Sequence, residues 1–139
     1  MSSGATLQTI SIQAFRSYAT LDAEFGPGPQ LIVGPNAAGK TTLLEAIVLL
    51  AWGRSHRTSA DAELVRWGSE LARIEGVAGA ETVEVALVRP VGGGGARKRI
   101  RVNGVARRLQ ADRRRPLRSR RHAAPDHVLR ESSDRREAP

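Results

Sequence analysis

Leu31-Ile32-Val33-Gly34-Pro35-Asn36-Ala37-Ala38-Gly39-Lys40-Thr41-Thr42 is the stretch that decides the fold. Gly34 to Thr41 satisfies G-x-x-x-x-G-K-[ST] at every fixed position. The apolar triplet ahead of it predicts a short strand buried on both faces. From Thr41 the run TTLLEAIVLLAW consists of helix formers with Glu45 as its one charge, which predicts a helix packed on nearly every side and stopped by Gly53. Strand, glycine loop, helix is the order a phosphate-binding loop needs. The glycines let the backbone curl until successive N–H groups face one anion, and the helix start adds its positive dipole end.

Each loop residue then has an expected role. Gly34, Pro35, Asn36, Ala37, Ala38 and Gly39 form the cradle, and Lys40 reaches the β- and γ-phosphates as a point charge. The Thr41 hydroxyl ligates Mg²⁺, and Thr42 offers its amide or hydroxyl to the α-phosphate. The expected ligands are ATP and Mg²⁺. The competing reading is a glycine-rich turn that happens to carry Lys and Thr. With glycine at about 7% of residues, a chance match to all fixed positions is on the order of one in a few hundred for a chain of this length.

Around the loop the period is that of strands. Ile10, Ile12 and Ala14 alternate with polar residues, as do Leu21, Ala23 and Phe25, and Gly26-Pro27-Gly28-Pro29 ends that second strand. Further on, Ala72 and Ile74, then Val83, Val85 and Leu87, then Ile100 and Val102 repeat the alternation. Gly92 to Gly95 is a flexible loop, and Asn103-Gly104 predicts a hairpin into a brief strand at Val105–Ala106, so these later strands are expected to be antiparallel. A second helix fits Ser59 to Trp67, capped by Thr58 or Ser59 and ended by Gly68. Trp52 and Trp67 fall at helix ends on apolar sides, and core packing is preferred to base stacking for both. Glu45 reads as the partner of a neighbouring arginine.

The chain has 139 residues, no cysteine, and a net charge of +8. One domain is the ceiling, and disulfides and thiolate metal sites are excluded. No apolar stretch approaches the roughly 18 residues of a membrane span, and the first six residues lack a secretion signal, so a cytoplasmic location without membrane contact is expected. Residues 1–106 hold 11 basic and 9 acidic side chains, and residues 107–139 hold 11 and 5. The basicity therefore belongs to the tail, where periodicity also ends. Disorder is expected there, and the abrupt change near residues 106–110 is what a shift of coding frame would produce. The run Arg113-Arg114-Arg115 with Arg118, Arg120 and Arg121 attracts phosphate but has no aromatic platform for bases.

The segments flanking the loop resemble a known family. Phe15-Arg16-Ser17-Tyr18 before Gly34-Pro35-Asn36 and Leu43-Leu44-Glu45-Ala46-Ile47 after it are similar to the opening of ABC-type ATPases of DNA repair and chromosome maintenance. Within that group, Gly53-Arg54-Ser55-His56-Arg57-Thr58, Asp61 to Gly68 and Arg101-Val102-Asn103-Gly104 resemble the RecF family, over about residues 7–109. The resemblance implies an α/β fold, a P-loop NTPase of ABC type with its N-terminal lobe only: antiparallel strands joined to the Walker A strand, loop and helix at 1–109; the Arg-rich tail expected to be disordered, 110–139, lies beyond it. It implies ATP-dependent action on single-stranded or gapped DNA in recombinational repair and the SOS response, with recombination mediator proteins as partners and an ATP-dependent homodimer. It also places Arg16 near the nucleotide phosphates, although a solvated charge at a strand end explains Arg16 equally well. Arg54, His56 and Arg57 read either as contacts to DNA phosphates or ATP, or as a plain exposed loop.

Hydrolysis in this class needs a second strand ending in a carboxylate, and no apolar run ending in Asp-Glu follows Thr41. Catalytic residues are therefore not assigned. Two other readings stay open: a non-enzymatic fragment whose Arg-rich tail binds nucleic acid by charge, and a P-loop kinase or other small NTPase.

Overall fold

A computed structural model describes residues 5–35 and 37–108. Asn36 and Leu109 lie outside them, as does 110–139 with its expected disorder and frame change. Alternation becomes strand almost wherever the sequence shows it: β1 (Leu7–Phe15), β2 (Tyr18–Glu24), β3 (Leu71–Ala78), β4 (Glu81–Val88), β5 (Arg97–Val102) and β6 (Val105–Arg107). They form one sheet in the order β2-β1-β3-β4-β5-β6, every pair antiparallel. The register aligns Leu21, Ile12, Ile74, Val85 and Ile100 across five strands. Because side chains alternate faces, that row and its parallel neighbours make one face apolar.

The helix α1 (Lys40–Trp52) covers that face with Leu43, Ala46 and Leu49, which join Ile10, Ile12, Phe15, Leu64, Ile74, Val85 and Leu87 in the core. Gly76 on β3 permits close approach: a Cβ there would lie 2.7 Å from a Leu50 methyl and 3.0 Å from a Leu7 methyl. At its end Gly53 takes φ 69°, and its N–H donates to the Leu49 carbonyl at 2.8 Å. This is the left-handed cap expected of glycine. No helix among the described residues is long and apolar enough to cross a membrane.

Four sequence expectations are corrected. Leu31–Val33 forms no strand: it is extended, with Leu31 87% and Val33 77% exposed. A strand needs a hydrogen-bonded neighbour, and among the described residues the six strands pair with one another and leave none beside this run. The helix α1 is covered on one side, not all round: Thr42, Leu43, Glu45, Ala46 and Leu49 are buried, while Leu44 stays half exposed. The helix expected over Ser59–Trp67 shrinks to a 3-10 turn at Asp61–Leu64. Its backbone groups are taken by β1 instead: Arg16 N–H donates to the Leu64 carbonyl at 2.9 Å, Arg66 N–H donates to the Ala14 carbonyl at 2.8 Å, and Val65 bridges Phe15. Finally, Trp52 and Trp67 are not core residues, being 67% and 92% exposed. The buried residues of α1 end at Leu49, short of Trp52, and Trp67 follows the Val65 bridge into a turn.

Candidate nucleotide-binding site

The loop leaves the extended run at Gly34 and enters α1 at Lys40. Ala37 holds φ 69°, Ala38 N–H donates to the Pro35 carbonyl at 3.2 Å, and Gly39 is left-handed at φ 93°, ψ 10°. Such values curl the chain on itself, which is what a cradle of N–H groups needs. The helix start carries no capping side chain and no acidic residue in its first turn. Its orphan N–H groups and positive dipole end are thus left for an anion. Lys40 crosses the loop, and its ammonium donates to the Gly34 carbonyl. Thr41 is exposed at the mouth, whereas Thr42 is buried. An uncapped helix start, a left-handed glycine and an ammonium folded over the loop together fit a polyphosphate.

One loop contact was not legible beforehand. Tyr18 Oη donates to the Gly39 carbonyl at 2.9 Å. A Cβ at Gly39 would sit 2.4 Å from the Tyr18 hydroxyl oxygen, so a side chain there would displace the tyrosine as well as strain the backbone at φ 93°. The sequence showed Tyr18 only as the last residue of the segment Phe15-Arg16-Ser17-Tyr18. A distance of 21 positions along the chain hid its contact with the loop.

Arg16 is not placed on the loop but on α1. Its Nε and Nη2 donate to the two Glu45 carboxylate oxygens, each at 2.9 Å, while Arg57 Nη1 adds 3.3 Å and Ser55 Oγ donates to Oε1. The forked geometry suits a planar guanidinium. Glu45 is fully buried, while Arg16 is 22% exposed. Burial pushes the Glu45 carboxyl up, but the hydrogen bonds from Arg16 and Ser55 and the charges of Arg16 and Arg57 outweigh it and hold the pKa below the usual carboxylate value. The expectation that Glu45 pairs with an arginine is met, by two of them. Arg16 at φ 52°, in the turn between β1 and β2, and Ala14 at φ 48°, near the end of β1, are held in a conformation rare for side-chain-bearing residues.

Arg54, His56 and Arg57 line a shallow cleft with Thr58, Asp61 and Lys98. Lys98 reaches this cleft from β5 and pairs with Asp61 at 3.0 Å. Neither Ser55 nor Lys98 carried a recognisable signal, because each acts through a partner distant in sequence. Among the described residues, no group of three His, Cys, Asp or Glu side chains is gathered that could hold a metal.

A fold of this kind, an antiparallel sheet carrying a glycine loop and its helix, defines a P-loop nucleotide-binding lobe. The AAA domain family matches residues 9–128, and the chain belongs to it. Within that class its likeness is to RecF. It is 39% identical over 106 residues to the DNA replication and repair protein RecF of Halalkalibacterium halodurans, a match covering 76% of this chain and 28% of that protein. With the RecF of Symbiobacterium thermophilum it shares 46% identity over 104 residues, 73% of this chain and 27% of the other. The structure of the recombination mediator protein RecF-ATP in the RecFOR pathway superposes with a TM-score of 0.61 at 36% identity, covering 73% of this chain and 27% of that one. The chain thus resembles the N-terminal part of RecF and spans little more than a quarter of the length of these relatives.

Proposed function

We propose that this chain is the ATP-binding lobe of a RecF-type DNA replication and repair protein, acting on single-stranded or gapped DNA. The observation that carries the reading is the loop from Gly34 to Thr41, left-handed at Gly39 and closed by Lys40, at the uncapped start of α1. Gly34 to Gly39, including Asn36, supply the cradle, Lys40 the charge for the β- and γ-phosphates, and Thr42 a donor to the α-phosphate. Thr41 would hold Mg²⁺, which would supply positive charge against the phosphates. Arg16 is shared with the nucleotide: two of its five N–H donors are spent on Glu45. The cleft of Arg54, His56 and Arg57 takes backbone phosphates of DNA. Recombination mediator proteins and a second copy assembled by ATP are the partners this reading carries.

Titration with a fluorescent ATP analogue tests it. Wild-type chain is expected to bind saturably and more tightly with Mg²⁺, Lys40→Ala to lose that binding, and Thr41→Ala to lose the Mg²⁺ dependence. Equal affinity of wild type and Lys40→Ala sinks the nucleotide reading. A gapped duplex bound equally well with and without ATP sinks the claim of ATP-dependent DNA action.

A further inference from the structure

We infer that Tyr18 is a positioning residue of the nucleotide site, its hydroxyl fixing the peptide that carries the Lys40 N–H; this rests on the nucleotide reading above. Tyr18 Oη and Leu43 N–H both donate to the Gly39 carbonyl, each at 2.9 Å. Two donors therefore hold one oxygen at the junction of loop and helix. The Gly39–Lys40 peptide is trans, so its N–H points opposite to its C=O. With the oxygen held toward Leu43 and Tyr18, the Lys40 N–H is aimed outward from the helix start. It is one of the N–H groups at that end with no intrahelical acceptor, and no side chain caps them. Donors of this kind are the ones phosphate oxygens take.

The tyrosine itself is not free to drift. It lies just beyond a turn braced at Arg16 by the fork on Glu45 and by the bond from Arg16 N–H to the Leu64 carbonyl. The Arg66 guanidinium donates to the Ser17 carbonyl in the same turn. Between Arg16 on Glu45 and Tyr18 on Gly39, one turn of the sheet grips α1 and its loop at two points. Without the hydroxyl, the Gly39 oxygen keeps the Leu43 N–H alone and the peptide is held by one donor in place of two.

Tyr18→Phe keeps the ring and removes the donor. The expected result is nucleotide affinity a few-fold weaker, because the loosened peptide must be re-ordered on binding, with the nucleotide-free chain melting only a few degrees lower, the worth of one net hydrogen bond. In the nucleotide-free chain, the Lys40 amide nitrogen is expected to move upfield, since a hydrogen bond on the preceding carbonyl deshields it. A Lys40 resonance that stays put overturns the inference, as does wild-type affinity in a variant whose resonance has moved. If the resonance moves but wild-type chain binds no nucleotide, the clamp on the peptide is supported and the nucleotide reading fails. Tyr18 is the single tyrosine of the chain, so 3-fluorotyrosine labels it alone and preserves the hydroxyl. That form is expected to bind Mg-ATP as wild type does and to shift its fluorine resonance on binding. An unmoved fluorine signal at saturating Mg-ATP counts against the positioning role.

Discussion

Glu45 shows how one side chain joins segments far apart in sequence. Arg16, Ser55 and Arg57 converge on a carboxylate with no exposed surface. Removing one member of a buried pair leaves the other uncompensated, at about 3–5 kcal/mol, and the partial exposure of Arg16 puts Glu45→Gln at the lower end. Urea denaturation at neutral pH is expected to show a loss of about 3 kcal/mol. The sign with pH follows from the lowered carboxyl pKa. The stabilisation is present above the unfolded-state value of about 4.3 and is lost as pH falls through the lower folded value. Wild-type stability should therefore fall more steeply than that of Glu45→Gln as pH drops from the unfolded-state value towards the lower folded one, and parallel curves there would refute the pairing. That Glu45 serves an arginine was legible from a lone charge in an apolar helix. Which arginines, and that a serine joins them, was settled by how β1, α1 and the loop after it fold together.

At the scale of elements, the contact between α1 and β3 turns on Gly76. A side chain there meets Leu50 and Leu7, whose methyl ends can rotate away in part. Gly76→Ala is expected to cost about 1 kcal/mol, the low end for overpacking, seen as a lower urea midpoint with an unchanged slope. An unchanged midpoint would mean that helix and sheet are not closely seated. The strands were legible because alternation at period two is local information, and so was the end of α1 at Gly53. The helix expected at Ser59–Trp67 was not, because its propensity was weak enough for hydrogen bonds to Ala14, Arg16 and Phe15 to override it. Propensity is a prior that tertiary bonding outbids in short segments.

The whole molecule places its apolar surface differently from its sequence pattern. Leu31 and Val33 look like core residues and are solvated, whereas Ile12 in β1 is fully buried. Leu31→Ser and Val33→Ser are each expected to change stability by less than about 0.5 kcal/mol, while Ile12→Ala costs about 2–5 kcal/mol. Thermal melts of the three variants check this, and a large loss at Val33 would show a packed strand. The glycine loop, the helix after it and the antiparallel strands could be read along the chain, because fixed residue types, helix propensity and alternation are all properties of neighbouring residues. The tertiary structure alone decided that Tyr18 pins Gly39, that Arg16 lies on Glu45, and that Leu31–Val33 has no strand beside it. Each of these depends on which distant backbone or side-chain group comes within hydrogen-bonding reach, and no local pattern encodes that distance.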